Sequence, residues 1–306
     1  MRHIVAVLAR TLALPLLLGI AGGARPLAAQ GAPPPRAAAD SAEDLINADR
    51  PGIADGSRVI APGQVQLEIG AQRERHVDAA THSTLSFVPT LLRIGVLSWL
   101  EARFESNSFA HERATDETGL TTTSSGLSPA LLGVKATLYD SKGDDDRRSL
   151  GVILRVAPPS GTDEFRTAHA TGDLRLAGDW DFAPKLSLNP NLGVARNESD
   201  GALFTTALGA LTLTYLPTEK SNVFIDAGYQ SREQSAGTWS LVIDAGVAYI
   251  VGRDVQLDVS AGEGAHGDTV PRPFVAVGVS ARASLLRHAS HPLARIHGDR
   301  SAQSPR

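Results

Sequence analysis

The chain has no cysteine among its 306 residues. This absence excludes a disulfide framework, a thiolate metal site, a lipid-modified cysteine and a cysteine nucleophile. Aromatic residues are also scarce, with 8 Phe, 4 Tyr and 3 Trp. The formal net charge is only −4, whereas a nucleic-acid partner would require a basic stripe. Apolar residues nevertheless make up 42% of the chain, which is too many for a disordered protein.

The first 29 residues have the layout of a secretory signal peptide. Arg2 and His3 give a basic start, and a largely apolar run follows as far as Ala21. This run is too short to anchor the chain in a bilayer, and small residues such as Ala28 and Ala29 follow it, as a cleavage site requires. We predict that residues 1–29 direct export. An exported chain without cysteine fits a bacterial envelope.

The stretch before residue 64 differs in composition from everything after it. Three consecutive prolines, Pro33–Pro35, are followed by small and acidic residues without any period. We predict a flexible linker at 30–47. Residues 48–63 are predicted to be ordered but irregular, because two prolines and three glycines interrupt them.

Apolar and polar residues alternate from residue 64 onward. In Gln64–Glu74 and again in Gly172–Phe182, apolar side chains occupy every second position. A period of two is typical of a strand with one apolar and one polar face. Twelve strands are predicted on this basis, at 64–74, 84–96, 100–105, 129–140, 149–158, 172–182, 185–196, 202–216, 221–230, 238–250, 253–261 and 273–283.

The connections between these strands fall into two sets that alternate along the chain. Longer, polar and glycine-rich loops are predicted at 140–148, 158–165, 196–201, 231–237 and 262–271. Short links are predicted at 96–99, 183–185, 217–219 and 252–253. Long loops at one rim and tight turns at the other are typical of an up-and-down barrel.

Two architectures fit half-polar strands in this number. In a soluble sandwich the apolar faces are buried, whereas in an outer-membrane barrel they meet lipid and the polar faces line the lumen. The signal peptide, the even strand count and lengths near the roughly 9–11 residues of a membrane strand favour the barrel. The aromatic residues are few for two interfacial belts. We predict an all-β fold: an up-and-down antiparallel transmembrane β-barrel of about twelve strands within residues 64–284.

Five sequence stretches carry a family resemblance. They are ADRPGIADGSRVIAPGQVQLEIG (48–70), PTLLRIGVLSWLEARFE (89–105), LSPALLGVKATLYD (127–140), GVILRVAPPSGT (151–162) and LSLNPNLGVAR (186–196). In this order they resemble the bacterial envelope family named for the MetA pathway of phenol degradation, whose members are called transporters or outer-membrane channels. The resemblance spans roughly residues 48–283 and implies a barrel that passes hydrophobic or aromatic compounds. Two features depart from the family: Ile94 replaces an expected aromatic residue, and the chain continues 22 residues past Ser284.

Motifs for catalysis or metal binding are weak. Gly262–Gly267 matches a dinucleotide-binding glycine pattern, but it falls in a loop with no helix after it. Asp144–Asp146 lacks the spacing of a calcium loop, and the nine histidines are not paired at zinc-ligand spacing. We expect no enzyme activity, no cofactor and no metal site. A hydrolase whose residues converge from scattered strands stays open as a less favoured alternative.

Charged side chains on the polar faces are the better functional lead. If lipid meets the apolar faces, the following residues point into the lumen: Arg93, Glu101, Arg103, Lys135, Arg155, Asp173, Arg175, Asp179, Asp181, Asp226, Asp244 and Asp258. Such charges either bridge neighbouring strands across a narrow interior or select solutes. The sequence leaves both interpretations open.

The irregular segment at 48–63 is predicted to fold into the lumen as a plug and to gate it. Its charges, Asp49, Arg50, Asp55 and Arg58, are more than a tether needs. They are expected to pair with wall residues such as Arg93, Arg103 or Asp173. The alternative is a simple periplasmic tether.

The predicted function is passive passage or binding of small, hydrophobic or aromatic solutes in the bacterial outer membrane. The expected partners are membrane lipid and lipopolysaccharide, the outer-membrane assembly machinery and a small-molecule solute. The alternative from another class is a soluble secreted or periplasmic β-sandwich that binds a ligand. Residues 285–306 have no period and are predicted to form a disordered tail.

Overall fold

The computed structural model describes residues 45–77, 81–141 and 147–285. The predicted signal peptide, most of the predicted linker and the tail beyond residue 285 lie outside the described residues. Within the described part the chain is all-β. No helix there is long and apolar enough to cross a membrane.

Fifteen strand segments form one sheet in the described residues. They are β1 (Gln64–Val77), β2 (Thr81–Phe87), β3 (Thr90–Leu97), β4 (Leu100–Ser106), β5 (Phe109–Asp116), β6 (Thr121–Leu127), β7 (Ala130–Asp140), β8 (Arg147–Ala157), β9 (Thr171–Ala183), β10 (Leu186–Ser199), β11 (Ala202–Thr218), β12 (Ser221–Gln230), β13 (Ser240–Val251), β14 (Val255–His266) and β15 (Phe274–Ser284).

The sheet closes on itself. β15 pairs antiparallel with β1, from Gln64 opposite Ser284 to Glu74 opposite Phe274. β2 and β3 pair with successive parts of β1, so they form one interrupted barrel strand. β4 with β5, and β6 with β7, are interrupted in the same way. The fifteen segments therefore make a closed barrel of twelve antiparallel strands, and the predicted fold is confirmed. The sandwich alternative is wrong because the described strands form one closed ring, with no second sheet among them to cover its apolar face.

The structure extends the predicted strands in one region. The sequence pattern assigned no strand to residues 106–128, but β5 and β6 lie there and continue the sheet. β6 reads TTTSSGL and is mostly exposed on both faces. A period of two arises only where the two faces meet different surroundings, so this strand carried no such signal.

Two predicted loops also differ. The connection after Asp140 follows β7 and therefore lies at the same rim as the tight turns. The connection after Ser199 is only the two-residue turn Asp200–Gly201. Two rims result. The short-turn rim holds the connections after β3, β7, β9, β11 and β13 and both ends of the barrel, and the long-loop rim holds the others.

The two faces of the wall have opposite character. Large apolar side chains point outward and are exposed, as Leu174 and Leu176 show at 47% and 49%. Charged residues alternate with them and are buried, among them Arg93, Glu101 and Lys135, at 1% exposure or less. An apolar exterior around a polar interior is the pattern of a membrane barrel.

The outward face gives the first prediction. Arg substituted for Leu176, Ile225 or Leu257 is expected to block membrane insertion, because a basic charge near the bilayer midplane costs about 2–4 kcal/mol. All three positions face outward, at 48–51% exposure. Heat-dependent migration in SDS gels reports the folded barrel. Phe at the same positions serves as the control, and normal folding of the Arg variants would show that the faces are assigned wrongly.

Candidate functional site

The N-terminal segment (residues 46–63) lies inside the ring of strands. The Ile46 amide donates to the Arg253 carbonyl in the β13–β14 turn at 2.9 Å, which places the start of the segment at the short-turn rim. The Gly56 amide donates to Asp49 Oδ1 at 3.1 Å and closes a loop within the segment. Ser57 is completely buried. The segment therefore rises from the short-turn rim into the lumen and returns to that rim, where β1 begins.

Backbone amides of the segment donate to side chains on strands around the ring. The acceptors, at 2.8–3.0 Å, are Glu68 on β1, Glu101 on β4, Asp179 on β9, Asn191 on β10 and Asp226 on β12. Irregular backbone has no ladder of its own, and a buried amide without an acceptor is costly. The wall side chains thus supply the hydrogen bonds that a helix or strand would supply elsewhere.

Asp49 lies among three cations of the wall. Its carboxylate is 2.6 Å from Arg103 Nη1, 2.8 Å from Lys135 Nζ and 3.7 Å from Arg93 Nη1. All four side chains are at most 8% exposed. Burial alone would raise the pKa of Asp49, but the three cations hold this pKa well below its usual range. Asp49 is therefore ionised at neutral pH and bound to the wall as a carboxylate.

Asp49 joins an ionic cluster of the wall. Arg93 and Arg103 lie directly opposite each other on β3 and β4, and like charges in that position repel. Glu101 bonds to both arginines at 2.9–3.1 Å. With Lys135, Glu68 and Glu105, the wall cluster holds three cations and three carboxylates. Asp49 of the segment adds a fourth carboxylate, which contacts all three cations.

Asp55 makes a second set of ionic contacts on the far side of the loop. Its carboxylate is 3.0 Å from Arg103, 3.5 Å from Arg175 and 3.6 Å from Arg155. The amide of Asn191 fixes the backbone at the same residue, since it accepts from the Asp55 N–H and donates to the Asp55 carbonyl, both at 2.9 Å. Side chain and backbone of Asp55 are therefore both bound to the wall.

Arg50 crosses the seam where the barrel closes. Gly70 and Gly278 are opposite each other on β1 and β15. A Cβ atom on Gly278 would lie 2.5 Å from Arg50 Nε, and one on Gly70 would lie 2.7 Å from Arg50 Nη2. Arg50 Nη2 reaches Asp258 at 3.0 Å, and Gln256 donates to the Arg50 carbonyl at 3.0 Å. The two glycines thus provide the space through which the guanidinium reaches its partner.

Three other charged residues do not themselves contact Asp49, Arg50 or Asp55 in the described structure. Arg58 pairs with Asp140 at 3.3 Å, and both side chains are partly exposed. Asp173, which the sequence offered as a partner of the segment, bonds instead to Arg155 on the neighbouring strand, at 3.0 Å. Asp181 lies half-buried on the inner face of β9.

Asp226 and Asp244 face each other across β12 and β13. Both are buried, at 1% and 4% exposure. Asp226 accepts the Ile53 amide at 3.0 Å, and Asp244 lines a cavity. Two carboxyl groups therefore lie side by side on this part of the wall, whereas the arginines lie on β4, β8 and β9.

Several contact residues were not singled out from the sequence. Glu68 follows the same alternation as the predicted lumen residues, so the pattern contained its signal. Ser57, Asn191 and the paired glycines carry no charge and match no motif. Only the three-dimensional position of the segment shows their role.

Among the described residues, two cavities that border the segment lie within the barrel. The larger, of about 710 Å³, is lined by parts of the segment and by residues towards the long-loop rim such as Val270 and Phe274. The smaller, of about 490 Å³, lies where the strands of β2 to β7 are interrupted. Arg50, Leu91 and Glu105 border both. The two spaces therefore adjoin.

Among solved structures, the fold of this chain is similar to outer-membrane channels and to an autotransporter translocator domain. The COG4313 outer membrane channel from Pseudomonas putida F1 superposes with a TM-score of 0.58 at 12% identity, over 74% of this chain and 98% of that one. The NalP autotransporter translocator domain from Neisseria meningitidis gives 0.45 at 12% identity, over 73% and 90%. The CymD monoaromatic hydrocarbon channel gives 0.38 at 10% identity, over 75% and 90%. Scores below 0.5 support no conclusion, so the first likeness alone bears on the fold.

Sequence comparison gives the family. Comparison with curated proteins finds no match. Residues 48–283, well over half of the chain, match the family described as "Putative MetA-pathway of phenol degradation". The match includes the segment from Ala48 as well as the barrel, and it agrees with the outer-membrane barrel fold. The chain therefore belongs to this family of outer-membrane β-barrel proteins.

Proposed function

We propose that the protein is a passive outer-membrane channel for small hydrophobic or aromatic solutes, and that the N-terminal segment closes its lumen. The observation that carries the gate is the position of Asp49 among Arg93, Arg103 and Lys135. A tether would leave its charges in solvent, whereas this carboxylate is buried and contacts three cations of the wall. The solute class is supported by the family description, which concerns phenol degradation.

We expect the segment to leave the wall and to bind it again reversibly. The segment is bound to the wall by hydrogen bonds and ion pairs, and water replaces such contacts when a lumen is hydrated. Ile46, Ala54 and Ile60 of the segment are buried as well, but the wall side chains that bond to the segment are polar and can be solvated. Passage by this route requires no enzyme chemistry. Contacts with lipopolysaccharide and with the assembly machinery stay predictions.

Deleting Asp49–Arg58 tests this function. The purified variant is expected to conduct severalfold more than the wild-type protein in planar bilayers, because the loop that bonds to the wall is gone. The Arg58→Gln variant is the control, since the Arg58 side chain pairs with the partly exposed Asp140 at the rim. Unchanged conductance of the deletion variant, with heat-dependent SDS migration retained, would refute the gate.

A further inference from the structure

The smaller cavity differs from the rest of the lumen in its lining. Phe87 and Leu91 are 9% exposed, and Ala110 and Ala157 are 2% and 4% exposed. These four side chains and the half-buried Phe165 all line it. The lining of this cavity is mainly apolar, whereas that of the larger cavity is mainly polar. This part of the lumen is therefore a chamber with a mainly apolar lining.

The chamber has a structural origin in the interrupted strands. Pro89 and Pro129 lie at two of the breaks and cannot donate a ladder hydrogen bond. Ser108, at the third break, adopts a φ of 42°. The breaks occur at the same level, since Thr90 pairs with Ser106, which in turn pairs with Ala130. The three interruptions therefore lie along one line across the wall, and residues at all three of them line the chamber.

A loop from the long-loop rim covers the chamber. The Thr162 amide donates to the Leu127 carbonyl at the end of β6, at 3.0 Å. The Phe165 amide donates back to the Thr162 carbonyl at 3.0 Å, and the Phe165 ring lines the chamber. A phenylalanine from the loop thus faces the same space as Phe87 from the wall.

We propose that this chamber is a binding site for a neutral monoaromatic solute. The inference rests on the proposed function and specifies its solute site. A volume of about 490 Å³ lies within the roughly 300–1,000 Å³ of small-molecule pockets. Aromatic rings favour offset or edge-to-face contact with phenylalanine. Glu68, Glu105 and Arg50 form its charged border. This border has one more negative than positive charge, so an anionic solute is disfavoured.

The route to the chamber follows from its neighbour. Leu91, Arg50 and Glu105 border both cavities. A solute that enters the larger cavity from the long-loop rim therefore reaches the chamber without displacing a barrel strand. The lining of the larger cavity is more polar than that of the chamber, so an apolar ring gains apolar contact when it moves from the larger cavity into the chamber.

Single cysteines test this site, because the natural chain has none. Ala110→Cys and Ala157→Cys place a thiol in the chamber, and Ala276→Cys places one in the larger cavity as a matched control. Each full-length variant in lipid vesicles is treated with methyl methanethiosulfonate, and labelling is followed by mass spectrometry. Phenol at ten times its Kd is expected to slow labelling about tenfold at both chamber positions, by mass action. Labelling at Ala276→Cys is expected to change little, and benzoate is expected to protect less than phenol.

Two chamber variants are used because one of them can fail to fold. Equal protection at all three positions, or no protection by phenol in a folded chamber variant, would overturn the proposal. Labelling of the full chain does not depend on conductance of the deletion variant. Failure of the solute site is therefore distinguishable from failure of the gate.

Discussion

Replacing Arg103 by methionine is expected to lower the free energy of unfolding by about 3–5 kcal/mol, because it leaves buried carboxylates without their cation. Arg103 contacts Asp49, Asp55 and two glutamates of its own strand at 2.6–3.1 Å, and its side chain is 1% exposed. Urea unfolding in lipid vesicles, followed by tryptophan fluorescence, measures the change. All three tryptophans lie on the barrel at 40–52% exposure and report its folding.

Arg58→Met is the matched control for this prediction. The Arg58–Asp140 pair is partly exposed at 25% and 33%, and such pairs contribute about 0–1 kcal/mol. The double variant Asp49→Asn/Arg103→Met is expected to recover part of the loss, because it also removes one of the carboxylates that lose a cation. Equal effects of Arg103→Met and Arg58→Met would show that the ionic interior contributes no more than a surface pair.

Valine at Gly95 or Gly151 is expected to open the lumen while every charge is retained. A Cβ atom on Gly95 would overlap the carbonyl of Ala61, and one on Gly151 would lie 2.5 Å from the carbonyl of Ser57. Both clashes are with backbone of the N-terminal segment, which cannot rotate away as a side chain can. The segment must therefore leave the wall, and conductance in planar bilayers is expected to rise towards that of the Asp49–Arg58 deletion.

Gly209→Val is the control for this second prediction. A Cβ atom on Gly209 has its nearest neighbour at 3.8 Å, in Tyr229, so the same substitution meets no backbone. Its conductance is expected to match the wild-type protein. If Gly95→Val and Gly151→Val fold and conduct like Gly209→Val, the segment does not control the lumen.

The barrel was predictable from the sequence because lipid and lumen impose opposite demands on neighbouring residues. In β9, Leu174 and Leu176 must be apolar to meet lipid. Asp173 and Arg175, which alternate with these leucines, face inward. Repeated over most of the strands, this alternation fixed both the strand number and the charged face. It failed at Thr121–Leu127, where no difference between the faces exists.

The contacts of the segment were not predictable in the same way. Asp49 meets Arg103 and Lys135, which are 54 and 86 positions away. Which wall residues lie at the same height depends on the register of every strand between them, and a single sequence does not give that register. The sequence shows the charges of the segment, but nothing in it distinguishes Asn191 from other polar residues or Gly278 from other glycines.

Because the interior is ionic, we expect interior and exterior positions of this barrel to differ in mutational tolerance in the opposite sense to those of a soluble domain. In a soluble domain, surface positions accept most substitutions and the apolar core accepts few. In this barrel an outward leucine such as Leu257 needs only another lipid-compatible side chain, because it touches fluid acyl chains. Buried Glu101 bonds to Arg93, to Arg103 and to the Ile60 amide, so even glutamine or aspartate at that position loses a partner. A deep mutational scan should therefore find its most constrained positions among charged residues, and its most interchangeable ones among the aliphatic residues of the exterior.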